Sequence, residues 1–256
     1  MKQWTKILAA GAITLALGAT AQAQSALNEI LDSGVLKFGT TGDWNPMTVR
    51  DPATNSYKGY DVDVAKALAA DLGVEVEFVP TDWKTLVNGV VAGKYHLSGS
   101  ASISPPRMKV AGFSESYISV EIMPFTSADK AEKFNGYDSI NKSDVKVATT
   151  LGTTFEGLVR DWFPNADIKV VEAPARGFQE VLAGRADVFI TSNIEGATLR
   201  DKHGVVQVPG TEPRAPSPIA MLLPQDDQVW INYVNNWVKV KKAKGFFDDT
   251  KTKWGL

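Results

Sequence analysis

The chain has no cysteine and only two histidines, which excludes several kinds of site. Without cysteine it can form neither a disulfide nor a thiolate metal site. The histidines, His96 and His203, are far apart in the sequence, which disfavours a histidine metal centre. We therefore expect no metal and no cofactor.

The sequence also lacks a block of basic residues. Its 27 lysines and arginines are balanced by 29 acidic residues, for a formal net charge of −2. A nucleic acid is therefore not an expected partner. Beyond the first 23 residues there is no apolar run of about 20 residues, the length that a membrane-spanning helix needs.

The first 23 residues have the features of a cleavable secretory signal peptide. Lys2 and Lys6 precede the apolar run "ILAAGAITLALGA", and "AQA" supplies small residues before a cleavage site at Gln24. With no cysteine after the run, a lipid anchor on cysteine is excluded. The pattern predicts export to a bacterial periplasm, and the alternative is an uncleaved N-terminal anchor.

The remaining chain alternates strand and helix patterns. "VLKFGTT", "VEVEFVP" and "ADVFITS" are typical of strands, whereas "GYDVDVAKALAADLG", with Asp61 as its N-cap, and "ARGFQEVLAGR" are typical of helices. Residues 227–255 read as one continuous helix. This alternation predicts an α/β fold with mainly parallel sheets flanked by helices.

Two such series, each with small polar residues at its strand ends, predict two lobes that face a cleft, because ligands in these folds bind beyond the carboxyl ends of strands. Residues 119–136 and 209–217 are the expected crossings between lobes. Residues 24–120 with 215–256 are predicted to form lobe 1, and residues 121–214 lobe 2.

Three segments carry a family resemblance: "GYDVDVAKALA", "SGSASISPPRMKVAGFSESY" and "VLAGRADVFIT". They resemble the periplasmic amino-acid-binding proteins of ABC importers, solute-binding family 3. The resemblance covers nearly all of the chain beyond residue 23, and it implies a two-lobed type II fold, an ABC permease as partner and a monomer. Further segments, "TTGDWNPM", "GRADVFITSNIEG" and "MLLPQD", resemble the cyclohexadienyl dehydratases, which are members of this family that became enzymes.

The resemblance assigns Arg107, in "ISPPRMK", to the carboxylate of a ligand. A guanidinium holds a carboxylate through two parallel hydrogen bonds, which lysine cannot reproduce. The small-residue loop before it and a helix start across the cleft would complete the anion site through N–H and hydroxyl groups. Its expected residues are Gly99, Ser100, Ser102, Thr153 and Thr154.

Two tryptophans are expected beside the ligand side chain. Trp44 matches the aromatic platform of the family, and Trp83 matches an apolar wall position; for both, core packing is the alternative. Asp43, next to Trp44, reaches the ligand or caps a turn.

Ser192 and Glu195 bear on the choice between receptor and enzyme. In amino-acid receptors of the family, the strand end at Ser192 carries an aspartate that pairs with the ligand ammonium. A buried ammonium without a counter-charge costs several kcal/mol. A carboxylate ligand without an amine therefore fits better here, unless Glu195 or Asp43 supplies the counter-charge for an amino acid. Glu195 matches the general acid of the dehydratases, where it would protonate a leaving hydroxyl. The alternatives are a ligand-binding glutamate or one favoured by the helix dipole alone.

The sequence thus favours a periplasmic receptor for a small carboxylate. The alternative is a prephenate or arogenate dehydratase that uses Glu195 as its acid.

Overall fold

The computed structural model describes residues 24–256. The predicted signal peptide, residues 1–23, lies outside the described residues. Within residues 24–256 every helix is too short or too polar to pass through a lipid bilayer.

Strands and helices alternate along most of the described chain. The strands are β1 Val35–Thr40, β2 Asp43–Trp44, β3 Thr48–Arg50, β4 Tyr57–Lys58, β5 Glu75–Pro80, β6 Leu97–Ser102, β7 Gly112–Phe113, β8 Ile118–Ser127, β9 Lys146–Thr150, β10 Asp167–Val171, β11 Val188–Ser192, β12 Val205–Gln207 and β13 Ala215–Leu223. The α-helices are α1 Ala26–Ser33, α2 Tyr60–Leu72, α3 Leu86–Val91, α4 Pro105–Met108, α5 Tyr137–Ile140, α6 Phe155–Trp162, α7 Gly177–Leu182, α8 Asn193–His203, α9 Gln228–Ala243 and α10 Phe246–Trp254, and a 3-10 helix covers Ala128–Lys133.

One curled sheet runs through the molecule in the order β10-β9-β11-β8-β13-β6-β1-β5. At one end β6, β1 and β5 are parallel, and at the other β11, β9 and β10 are parallel. The two groups are joined by β8 and β13, which are antiparallel to each other and to their outer neighbours. The fold is the two-lobed type II architecture, with a mainly parallel sheet in each lobe.

The two long strands β8 and β13 form the crossing between the lobes. They pair with each other over residues 118–122 and 215–219. Beyond this segment β8 pairs with β11, whereas β13 pairs with β6. This change of partners supports the predicted lobe boundaries, residues 24–120 with 215–256 and residues 121–214, which stay a prediction.

The structure differs from the sequence-based expectation in two local details. The predicted helix over 227–255 is two helices, because the chain turns at Gly245, whose φ of 74° lies in the left-handed region that favours glycine. The N-cap of α2 is Gly59, so the assignment of Asp61 as the N-cap was wrong. Asp61 lies in the first turn of α2 with its side chain fully buried, and this placement affects the site.

Candidate ligand-binding site

A narrow cleft lies between the lobes. It is built at the carboxyl ends of β6, β9 and β11 and at the starts of the helices that follow β9, β10 and β11. Its lining is Trp44, Trp83, Ser100, Ser102, Arg107, Thr150, Thr153, Thr154, Phe155, Arg176, Gly177, Phe178, Phe189, Ile190, Thr191 and Glu195. Segments far apart in the sequence therefore share one cavity.

Arg107 is a buried cation in the cleft wall. It lies in α4, is 7% exposed, and donates to the carbonyls of Ser102 (3.3 Å) and Gly152 (3.1 Å). No carboxylate within residues 24–256 forms a salt bridge with it. Burial lowers the pKa of Arg107 to about 10, so the group stays charged at neutral pH. A buried charge without a counter-charge is costly, and an anionic ligand would remove that cost.

A second arginine, Arg176, lies in the same cavity between two carboxylates. Its Nη2 donates to Glu195 Oε1 (2.8 Å) and Oε2 (3.1 Å), and its Nη1 lies 2.8 Å from Asp43 Oδ2. Thr191 Oγ1 donates to Glu195 Oε2, and Trp83 Nε1 donates to Asp43 Oδ1 (3.0 Å). We refer to Arg176, Glu195 and Asp43 as the charged triad.

The pKa values within the triad follow from burial and charge. Burial raises the pKa of Glu195, and the Arg176 guanidinium acts against this shift. Both oxygens of Glu195 accept hydrogen bonds from donors that favour the carboxylate form. The two carboxylates also raise the pKa of Arg176, which keeps it charged.

Aromatic rings form much of the apolar wall. Trp44 and Trp83 meet edge to face, with ring centroids 6.0 Å apart, on the lobe 1 side. Phe155, Phe178 and Phe189 line the opposite side. The site thus combines charged groups with rings, an arrangement that suits a small polar ligand with an apolar body.

Ser100 lines the cleft, but its polar groups are committed inside the protein. Its hydroxyl donates to Asp61 Oδ2, and its N–H donates to Tyr117 OH (3.1 Å). Tyr117 OH in turn donates to Asp61 Oδ1 (2.7 Å). The φ of Ser100 is 57°, a value that non-glycine residues seldom adopt. The buried network therefore holds the loop in an unusual conformation. Ser100 thus shapes the wall of the cleft, and its predicted contact with a ligand carboxylate stays a prediction.

The other predicted residues fall into two groups. Ser102, Thr153 and Thr154 line the cleft, with Thr154 as the N-cap of α6. Gly99 and Ser192 do not line it: Gly99 lies against Phe38 and Asp61 behind the wall. The Ser192 hydroxyl accepts from the N–H of Glu195 (3.3 Å) and so caps α8. Thr191, one residue earlier, lines the cleft. In an amino-acid receptor, the residue at the Ser192 position was expected to contact the ligand.

Arg176 is a site residue that was not predicted from the sequence. It stands in "EAPARGFQE", a stretch whose pattern predicts the start of a helix but no ligand contact. Its partners are 19 and 133 positions away in the chain, so only the fold brings them together. The single signal was an arginine directly before a helix that starts at a strand's carboxyl end.

The cleft is closed in this structure. Arg176 contacts Asp43 across the cleft, and Arg107 contacts Gly152. In a third contact, Lys84 Nζ lies 2.7 Å from Glu172 Oε1. Gly152, with a φ of 80°, fits so closely against Lys84 that an added Cβ would lie 2.5 Å from the Lys84 backbone. Contact between the lobes is therefore direct and includes the residues that line the site.

A two-lobed fold with a charged cleft between the lobes is typical of proteins that close over a small ligand. The chain belongs to the bacterial extracellular solute-binding proteins, family 3, whose family model matches residues 36–256. It is 30% identical to cyclohexadienyl dehydratase of Pseudomonas aeruginosa over 97% of this chain and 93% of that protein. It is 25% identical to the glutamine-binding protein of a Bacillus subtilis ABC transporter, over 89% of this chain and 84% of that protein.

Among solved structures, the chain is similar to an ancestral amino-acid-binding protein described as a precursor of cyclohexadienyl dehydratase. The identity is 37% and the TM-score 0.83, covering 90% of this chain and 99% of that one. Its relatives thus include both receptors and an enzyme, and the choice between these functions depends on the site itself.

Proposed function

We propose that this protein is a periplasmic receptor that closes its two lobes over a small carboxylate and delivers it, as a monomer, to an ABC permease in the inner membrane. Family membership supports the receptor class, and the signal pattern of residues 1–23 supports the periplasm. The lobe contacts support closure around a ligand.

The observation that carries this proposal is the state of Arg107. It is a buried guanidinium in the cleft wall, and its two recorded acceptors are backbone carbonyls. A ligand carboxylate would supply the missing counter-charge and accept two parallel hydrogen bonds. Because closure buries the pair further, binding and closure would be coupled.

The test is calorimetric binding of a panel of small carboxylates to residues 24–256, with Arg107→Ala and Arg107→Lys as variants. We expect Arg107→Ala to weaken binding at least about a hundredfold. Arg107→Lys should weaken it at least about tenfold, because lysine lacks the planar pair of donors. Arg160→Ala, which removes an exposed arginine outside the cleft, is the matched control. Equal affinity in Arg107→Ala and Arg160→Ala would contradict the proposal.

The dehydratase alternative is favoured by one observation: Glu195 is buried in the cleft, and burial raises its pKa as a general acid requires. Its hydrogen bonds favour the receptor, because both oxygens accept from Arg176 or Thr191 and the carboxylate is therefore stabilised. An acid that must deliver a proton to a leaving hydroxyl is poorly served by such donors.

Prephenate provides the direct assay of this alternative. Formation of phenylpyruvate at neutral pH is followed with residues 24–256, with Glu195→Gln and without protein, since prephenate also decays unaided. We expect no protein-dependent turnover, and Glu195→Gln should keep carboxylate binding within about tenfold. Turnover that falls at least about a hundredfold in Glu195→Gln would establish the enzyme and refute the receptor.

A further inference from the structure

The charged triad brings a cation of the protein into the binding cavity. The Arg176 guanidinium lies between Glu195 and Asp43, within 2.8 Å of an oxygen of each. Arg176 is 9% exposed and Glu195 is 3% exposed, so the pair is held away from water. In a receptor for zwitterions, carboxylates in such a cavity would instead face the ligand's ammonium.

The acceptors of the triad are already used. Glu195 receives three hydrogen bonds, two from Arg176 and one from Thr191. The Asp43 carboxylate accepts hydrogen bonds from Trp83 Nε1 at both oxygens, and its Oδ2 forms an ion pair with Arg176 Nη1. A ligand –NH₃⁺ has three donors and no acceptor, so it would enter a cavity whose strongest acceptors are occupied.

Two residues that line the cavity carry buried donors without a partner in the described chain. Trp44 Nε1 and Arg176 Nε are buried and have no hydrogen-bond partner within residues 24–256, and both residues line the cavity. Arg107 adds a third cavity residue with donors and no anionic partner in the described chain. Such a cavity is satisfied by a ligand rich in acceptor oxygens.

We propose that Arg176 is a specificity-determining residue that replaces the ligand ammonium, so that the site selects 2-hydroxy or 2-oxo acids over the corresponding 2-amino acids. This rests on the proposed carboxylate receptor and narrows its ligand class. An ammonium would be repelled by Arg107 and Arg176 at short range in a partly dehydrated cavity. A hydroxyl or oxo oxygen is neutral and accepts hydrogen bonds from the free donors.

The test uses ligands that share a carbon skeleton and differ only at C2. Calorimetry on residues 24–256 compares lactate with alanine, malate with aspartate, and 3-phenyllactate with phenylalanine, together with the three matching 2-oxo acids. For every skeleton that binds, we expect the hydroxy or oxo acid to bind at least about tenfold more tightly than the amino acid.

Arg176→Met tests whether this residue sets the preference. Methionine removes the cation with little loss of bulk and leaves Glu195 and Asp43 available to an ammonium. We expect the ratio of hydroxy-acid to amino-acid affinity to fall at least about tenfold, with a gain in amino-acid affinity. If Arg176 had only a structural role, the substitution would weaken the binding of both ligands equally and leave the ratio of affinities unchanged.

Arg176→Met with Glu195→Gln removes both buried charges and keeps the test decisive if the single variant does not fold. In the double variant the remaining carboxylate is Asp43, which is partly exposed and already accepts from Trp83 Nε1, so amino acids should again bind at least about tenfold more weakly than hydroxy acids. Tight amino-acid binding by the double variant would overturn the proposal.

The failures are distinguishable. If the unmodified protein binds amino acids as tightly as hydroxy or oxo acids, this inference is wrong, and the carboxylate receptor stands. If it binds no carboxylate in either series, the proposed function falls and this inference with it. If Arg176→Met keeps the full preference for hydroxy acids, selectivity arises elsewhere and the role of Arg176 is refuted.

Discussion

Single buried charges define this site more than any sequence motif does. Glu195 and Arg176 neutralise each other, Arg107 has no anionic partner within the described chain, and Asp61 accepts hydrogen bonds from the hydroxyls of Ser100 and Tyr117. In each case the fold buries a charge away from the water that would otherwise solvate it. The unpaired cation indicates a ligand, and the carboxylate paired with hydroxyls positions the binding loop.

Asp61 should make the stability of the protein depend on pH. Burial raises the pKa of Asp61 from 3.8 to about 6, and the titratable groups beside it are Tyr117 and Tyr60. A raised pKa means that the folded state holds the proton more tightly than the unfolded chain does. The stabilisation is therefore complete below about pH 4 and is lost as the pH rises through about 6.

Asp61→Asn removes this titration with little change of shape. We expect the free energy of unfolding of the unmodified protein, relative to Asp61→Asn, to fall by up to about 3 kcal/mol between pH 4 and pH 7. Urea unfolding of both proteins across that range gives the comparison, because the other carboxylates cancel in the difference. A difference that does not vary with pH would contradict the assignment.

At the scale of elements, the helices that follow the strand ends place the charged groups of the site. Glu195 is in the first turn of α8, Arg107 lies in α4, and Arg176 immediately precedes α7. These helices are held against the sheet by close contacts. Gly196, next to Glu195, lies so close to Phe125 of β8 that an added Cβ would fall 1.9 Å from the ring.

Gly196→Ala should therefore destabilise the protein and displace the start of α8. Overpacking of this kind costs roughly 1–3 kcal/mol, and carboxylate binding should weaken because Glu195 and Arg176 shift together. Gly157→Ala in α6 is the matched control, since no atom lies within 4 Å of its added Cβ. A helical glycine replaced by alanine without a clash should stabilise by up to about 1 kcal/mol. Urea unfolding of both variants checks the pair, and equal effects would refute the packing argument.

At the scale of the whole molecule, the arrangement depends on two strands and a closed cleft. The strands β8 and β13 carry the chain between the lobes, and the lobes meet through Arg176 with Asp43, Lys84 with Glu172, and the Gly152 segment. The Lys84–Glu172 pair is largely exposed, and water and salt screen such pairs, so it contributes little to closure. Closure therefore depends mainly on the contacts inside the cleft.

Gly152→Ala should hold the lobes apart without unfolding either one. Its added Cβ would meet the Lys84 backbone across the cleft, which a flexible side chain cannot relieve. We expect the radius of gyration from small-angle X-ray scattering to stay larger than that of the unmodified protein when a binding carboxylate saturates both. Gly184→Ala is the control, since it shares the left-handed backbone, with φ of 70°, but has nothing within 4 Å of the added Cβ. Equal closure in the two variants would contradict this view.

The sequence predicted the fold well because hydrophobic periodicity and small residues at strand ends are local signals. It missed what depends on three-dimensional proximity. The role of Asp61 was invisible because Ser100 and Tyr117 lie 39 and 56 positions away. The short strands β2 and β4, of two residues each, were too brief to show a period. The place of Arg176 in the site could be predicted only from the order of the strands in the sheet, because β10 and β11 lie on either side of β9.

The edge-to-face pair of Trp44 and Trp83 gives the protein an optical reporter of its own occupancy. Trp83 Nε1 donates to Asp43, the residue that also contacts Arg176, and both indoles border the cavity. A ligand that enters the cleft alters the electric field at these indoles, so the intrinsic tryptophan emission changes when the ligand binds. Affinities and closing rates then become measurable by stopped-flow mixing on the unlabelled protein.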